Sequence, residues 1–264
     1  MENPNDIVDP IQRFIPDLVE LARDYLEPNG WFASLQQQQS IGKNGPIPWI
    51  TYPAIEMLKR IASAHSRVFE YGAGCSSIWW AMRTSEVISV EYDPGWQRFL
   101  PQPLLERNRV HVIERGETVS TEIADWLEHE FFDRCLDPEP EYHFGPSPSV
   151  ACRPFLAYAS SILQYPKGYF DIIVIDGAAR VLCAWLAARV LNQNGFIVFD
   201  NTDRVVYSKA YAELAHLGFA RVDFWGPSPI NRYESCTSLF TKTLSPFLPE
   251  RRGEVEPRPE HFWR

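Results

Sequence analysis

Along the central two thirds of the chain, short apolar runs that end in an acid or a glycine alternate with segments whose apolar residues recur every three or four positions. The pattern predicts strands over 67–71, 87–92, 110–113, 172–175 and 196–199. Helices are expected over about 76–84, 179–191 and 209–217. Strands that alternate with helices imply right-handed βαβ units and a mainly parallel sheet with helices on both faces. Two more strand candidates, 220–225 and 237–241, are joined by GPSPINRYES with no helix between them. They are expected to pair as an antiparallel hairpin, which completes a seven-stranded α/β sheet of Rossmann-like type.

The flanks read differently. Residues 1–50 form an N-terminal extension with an apolar helical pattern that enters through Pro16 and stops at Pro28-Asn29-Gly30. Residues 36–48 are polar and contain Gly and Pro, so a loop is expected there. A second helix is predicted over 52–64, entered through Thr51 and Pro53. The main domain is expected over 51–245. It contains an insertion at about 117–153, helical over 121–132 and a Pro- and acid-rich loop over 137–149. A Pro-rich, charged tail follows over 246–264, expected to be weakly ordered.

Candidate chemistry begins at Val68-Phe69-Glu70-Tyr71-Gly72-Ala73-Gly74-Cys75-Ser76-Ser77. A strand runs into a glycine turn and a helix starts at once. Glycines admit a close backbone approach to a bound nucleotide, and the helix start offers free N–H groups. The next strand ends in Glu91, about twenty residues after Gly72, the offset of an acid that holds ribose hydroxyls. The third glycine of the dinucleotide fingerprint is missing. A nicotinamide cofactor and S-adenosylmethionine are the two candidates for such a fold.

Glu70 separates them. With Gly72 and Gly74 it resembles the acid-x-Gly-x-Gly motif of the class I S-adenosylmethionine-dependent methyltransferases. Ser76 stands where that family often has a third glycine. Glu91 resembles the family's acid after the second strand, and the terminal hairpin resembles its last two strands. The segments FEYGAGCSSIWWA, VEYDPGW and IDGAAR are similar to a bacterial small-molecule branch. The resemblance runs over about 67–242. It implies that Glu70 serves the methionine amino end of the cofactor, that Gly72, Gly74, Ser76 and Ser77 pass beneath it, and that Asp176 adjoins it.

Two further strands end in acids, Ile175-Asp176-Gly177 and Phe199-Asp200-Asn201. Adjacent parallel strands present such ends to one crevice. Two carboxylates and an amide are hard oxygen ligands suited to Mg²⁺. Asp176, Asp200 and Asn201 resemble the metal triad of catechol-type and macrocin-type O-methyltransferases, which implies a divalent ion that favours the deprotonated acceptor hydroxyl. The match stops there: Ala179 stands where the catechol-type enzymes carry a basic lysine, and Arg180 follows. Arginine stays protonated, so its expected use is to anchor an anionic acceptor or the cofactor carboxylate. The competing expectation is that Asp200-Asn201 caps the next helix and Asp203-Arg204 is a surface pair.

Composition narrows the partners. The net charge of −9 argues against a broad nucleic-acid surface. The five cysteines are scattered and never spaced C-x-x-C, which suits reduced cytosolic thiols, Cys75 among them as an inert one. The opening residues show no signal-peptide pattern and no stretch has the length of a membrane span, so a cytoplasmic location is expected. Trp79, Trp80, Trp96, Trp225 and Phe240 are expected to pack in the core, while Trp49 and Tyr52 are candidates for the acceptor pocket and His143 for a base. The expected reaction is O-methylation of a small molecule. The alternatives are a nicotinamide-dependent oxidoreductase and a non-catalytic binding module. Self-association of the N-terminal extension into a homo-oligomer stays open.

Overall fold

A computed structural model describes residues 16, 19–20, 22–96, 108–135 and 151–243. The N-terminal part carries a helical turn at Ala22–Leu26, helix α1 (Trp31–Gln37) and a two-residue hairpin, β1 (Ile41–Gly42) with β2 (Gly45–Pro46). Helix α2 (Tyr52–Ile61) follows, with Thr51 at its N-cap and Pro53 in its first turn. The main sheet is then built from β3 (Arg67–Tyr71), β4 (Glu86–Glu91), β5 (Asn108–Val112), β6 (Phe170–Ile175), β7 (Leu191–Asp200), β8 (Ala220–Gly226) and β9 (Ser235–Thr241). Between them lie α3 (Cys75–Ala81), α4 (Thr121–Leu127), α5 (Leu156–Ser160), α6 (Arg180–Val190) and α7 (Ser208–His216).

The strand order is β5-β4-β3-β6-β7-β9-β8. The first five strands are parallel, and β9 runs antiparallel to both β7 and β8. This is the doubly wound 3-2-1-4-5 order with the expected hairpin appended, so that its second strand lies beside β7. The order reverses at β3, between β4 and β6, and ligands of such sheets bind at the strand ends there.

Alternation along each strand sends side chains to two cores. Phe69, Tyr71, Ile173, Ile175, Ile197 and Phe199 face α5, α6 and α7. Val68, Val87, Ile172, Val174, Val198 and Leu239 face α2 and α3, with Trp79 and Trp80 buried among them. Tyr25, Trp31 and Ile47 pack against this second core, so the described part of the extension lies on its own domain. Among the described residues no helix is long and apolar enough to cross a membrane.

Some expectations change. Residues 31–37 are helical, because Gly30 with φ of 85° turns the chain and the helix restarts beyond it. The helical segment over 121–132 is present and continues through a wide turn at Glu128–Phe132 to Cys135. Residues 153–164, for which no element was expected, form tight helical turns around α5. Trp225 is 52% exposed instead of packed in the core, because β8 is the sheet's edge and this residue is on its outer side. Tyr52 is buried against Tyr25 and is not among the residues that line the cavity at the strand ends. His143, the loop over 137–149 and the tail from 246 lie outside the described residues.

Candidate active site

One cavity of about 470 Å³ opens at the carboxyl ends of the parallel strands. Its floor and one side come from the β3–α3 and β4 turns: Gly72, Gly74, Ser76, Glu91 and Asp93. The other side comes from the ends of β6 and β7: Asp176, Gly177, Arg180, Asp200, Asn201 and Arg204. Gln38, Ser40 and Trp49 of the N-terminal part and Ile230, Asn231 and Tyr233 of the β8–β9 loop close it from above.

The glycine turn is as tight as its sequence requires. Gly72 has φ of 97°, and a Cβ there would meet Asp176 and Gly177 backbone at 3.0 Å. The turns after β3 and β6 therefore touch, which joins the two halves of the cavity. Gly74 opens α3, and Ser77 Oγ accepts its N–H at 3.0 Å. Ser77 Oγ in turn donates to Glu70 Oε2 at 2.5 Å, and Ser89 Oγ donates to the same oxygen at 2.7 Å. Glu70 and Ser77 are thus fully buried beneath the turn and do not line the cavity. Glu70 Oε1 has no partner among the described residues. Burial pushes the Glu70 carboxyl up to about 7, against the serine hydroxyls that favour its ionised form.

Glu91 does line the cavity. Its Oε2 accepts the Ala73 N–H at 3.0 Å, and Oε1 accepts those of Tyr92 and Asp93 at 2.8 and 2.9 Å. Burial raises its pKa and these three N–H groups oppose the rise. Each carboxylate oxygen has two acceptor sites, so Oε2 keeps one for a ligand hydroxyl. Trp96, expected in the core, instead reaches back over the turn and donates from Nε1 to Ala73 O at 2.6 Å. Cys75 is part of the wall, and burial raises its thiol pKa, which leaves it unreactive.

At the other side Arg180 is the organising group. Its Nε donates to Gly177 O, Nη1 to Asp200 O and Asn201 Oδ1, and Nη2 to Asp176 O and Oδ1, at 2.6–3.2 Å. A guanidinium has five N–H groups, and all five are engaged. Burial works against its charge, but Asp176, Tyr207 and Asp200 outweigh that and hold its pKa above the usual arginine value. Asp200 is buried, and its Oδ1 accepts from Thr237 Oγ1 at 2.6 Å. Asp176 keeps 24% of its side chain open. Burial and the facing Asp200 push the Asp176 carboxyl well up, and burial also raises Asp200. Two neighbouring carboxyls in one protein-lined recess hold a first proton tightly.

This arrangement does not suit a divalent cation. Asp176 Oδ1 and Asn201 Oδ1 are turned onto the guanidinium, and Asp200 Oδ1 onto a hydroxyl. An ion bound among them would stand against a fixed positive charge. The two residues do not cap the next helix either: Arg204 stands at the N-cap position of the turn at Val205–Tyr207 and Tyr207 at that of α7, neither with a side-chain cap. Asn201 has φ of 58°, a left-handed conformation Asn tolerates. Asp203 accepts the Cys236 N–H instead of pairing with Arg204.

Sequence reasoning missed Gln38, Ser40, Ile230, Asn231 and Tyr233, all in the cavity wall. They arrive through contacts of very long range. Trp31 Nε1 donates to Asn231 O at 2.8 Å, and Trp49 Nε1 to Asn231 Oδ1 at 3.2 Å. Ile230 has φ of 67°, rare for a β-branched residue.

No protein-family model matches the chain, and no curated protein matches it. Solved structures do. A precorrin-6y C5,15-methyltransferase from Geobacter metallireducens is 13% identical, with 79% of this chain and 96% of that one covered and a TM-score of 0.49. A methyltransferase from Geobacter sulfurreducens is 14% identical, with 86% and 97% covered and a TM-score of 0.47. A spermidine synthase from Thermotoga maritima is 11% identical, with 72% and 58% covered and a TM-score of 0.44. At these scores and identities the similarity bears on neither cofactor nor acceptor.

Proposed function

We propose that this chain is an S-adenosylmethionine-dependent methyltransferase that modifies an oxygen of a small molecule. The observation that carries the reading is the shared cavity. The glycine turn with Glu91 and the Asp176–Asp200 pair open into one space, joined where Gly72 meets Asp176.

The donor set fits the cofactor. Glu91 has acceptor capacity for ribose hydroxyls, the β3–α3 turn offers a close backbone approach, and Trp96 adds a flat surface beside it. Bound there, S-adenosylmethionine supplies an electrophilic methyl group carried on a sulfonium. The protein's remaining tasks are alignment and proton removal. Asp176 Oδ1 is held by Arg180, Oδ2 makes no hydrogen bond with the described residues, and the side chain lines the cavity with 24% of its surface open. There it would accept the proton of the acceptor hydroxyl, whose oxygen would take the methyl group as the methyl–sulfur bond breaks and S-adenosylhomocysteine leaves as the neutral thioether. Asp200 supplies the nearby charge that keeps Asp176 basic. The residues over the mouth keep bulk water from the reacting oxygen.

The test is calorimetry with S-adenosylhomocysteine on wild type and Glu91→Ala, followed by an acceptor screen on wild type and Asp176→Asn. Micromolar binding lost in Glu91→Ala, and turnover lowered roughly a hundredfold or more in Asp176→Asn, support the reading. A well-folded wild type that does not bind S-adenosylhomocysteine sinks it.

A further inference from the structure

Two cationic side chains line the cavity, Arg180 and Arg204. Every N–H of Arg180 is already engaged by protein oxygens. Arg204 differs. Its backbone is fixed, the N–H on Asn201 O at 3.1 Å and the carbonyl accepting from Tyr207 N–H at 3.1 Å. Its side chain is exposed and its guanidinium makes no hydrogen bond or ion pair with the described residues. Arg67, Arg109, Arg153, Arg189 and Arg221 all pair with an acid. In a chain of net charge −9, a cation at a cavity mouth with five donors to offer is a group for recognising an anion.

We propose that the acceptor is an anionic hydroxy compound whose carboxylate or phosphate is held by Arg204 while its hydroxyl lies at Asp176. This rests on the methyltransferase reading and names the substrate class for it. The charges of this half of the cavity agree. Arg204 lies close enough to act on both Asp176 and Asp200, lowering their pKa values. With both carboxyls ionised, as the proton transfer requires, Arg180 and Arg204 offset their charges, so an anion at Arg204 meets no net negative charge from this group of four. Trp49 and Tyr233 line the same mouth and offer flat faces, which suits an unsaturated ring as the skeleton between the anion and the hydroxyl.

The probes are 3-hydroxybenzoate, its neutral amide and 3-hydroxyphenyl phosphate. Each is titrated by ligand-observed NMR on wild type, Arg204→Ala and Arg204→Lys, with and without S-adenosylhomocysteine. The expected result is at least one anion bound roughly tenfold more tightly than the amide by wild type. That preference disappears in Arg204→Ala and returns in part in Arg204→Lys. The tighter of the two anions tells carboxylate from phosphate. An amide that binds as well as both anions, an anion preference that survives Arg204→Ala, or no binding of any probe to folded wild type overturns the proposal. If S-adenosylhomocysteine fails to bind wild type, the methyltransferase reading falls by itself, because the arm without it reads the anion preference independently.

Discussion

Nη2 of Arg180 stands 3.0 Å from Oδ1 of Asp176, and its partner nitrogen Nη1 holds the carbonyl of Asp200 and the amide of Asn201. One side chain thereby ties the ends of both β6 and β7 together and sets a positive charge beside Asp176. Lysine keeps the charge but loses the planar fork. Arg180→Lys is expected to lower methyl transfer roughly a hundredfold with a smaller loss of cofactor affinity. Arg180→Ala also leaves the carboxyl pair without its counter-charge and costs about 3 kcal/mol or more of stability. Arg180 lowers the pKa of both Asp176 and Asp200. Its removal raises them, so the acid limb of the residual rate profile is expected to move to higher pH. Steady-state kinetics over pH and chemical denaturation check these outcomes; an unmoved acid limb would remove Asp176 as the proton acceptor.

Glu70 gives a stability prediction with a definite sign. Its carboxyl is raised from 4.5 to about 7 in the folded chain. The folded state therefore binds a proton more tightly than the unfolded state. The stability this contributes is fully present below about pH 4.5 and is lost as pH rises through about 7. Over that window the loss is roughly 3 kcal/mol. Glu70→Gln keeps an oxygen for Ser77 and Ser89 and cannot ionise. Stability between pH 5 and 8 should fall less steeply for the variant than for wild type, since Glu91, Asp176 and Asp200 still contribute to the fall, and parallel curves would mean that Glu70 stays ionised.

Much of this site was legible because it rests on local rules. The alternation of apolar runs with acids and glycines located Glu70, Gly72, Glu91, Asp176 and Asp200 at strand ends, and parallel strands bring such ends together. Several strand starts were read one to a few residues late, where polar positions such as Asn108 or Glu86 join the ladder, and two strand ends one residue late. The sequence could not show that Glu70 works from beneath the turn, since that depends on Ser89 of the neighbouring strand. Nor could it show how Arg180 would be used, since its acceptors lie on two separate strand ends. The upper wall was illegible for a plainer reason: Trp31 and Asn231 are 200 residues apart in the chain and meet only after the whole sheet has formed.

That upper wall yields its own expectation. Asn231 Oδ1 is the acceptor for Trp49 Nε1, and Ile230 beside it is held at φ of 67°. Asn231→Ala frees the indole and the loop without touching Glu91 or the carboxyl pair. The acceptor KM should rise several-fold, while S-adenosylhomocysteine affinity, read by calorimetry, changes little. An equal loss of both would mean that the loop supports the cofactor half as well.

The junction of the two halves can be tested through Gly177 and Tyr158. A Cβ at Gly177 would stand 2.0 Å from Tyr158 Oη, with Gly72 N at 3.0 Å beyond it. Tyr158 is fully buried and its hydroxyl has no partner among the described residues. Gly177→Ala must therefore displace either a packed ring or the β3 turn. Overpacking of this kind costs about 1–3 kcal/mol, and a shifted Gly72 would also weaken the cofactor site. Tyr158→Phe removes only the oxygen that the methyl group meets, at little cost because that oxygen bonds to nothing. In the double variant most of the stability loss should return, a coupling well above the few tenths of a kcal/mol expected of independent sites. If stability returns but S-adenosylhomocysteine affinity does not, the residual defect lies in the contact with Gly72, and the two turns are mechanically joined. If neither returns, the steric account of Gly177 is wrong and its place in the turn has another cause.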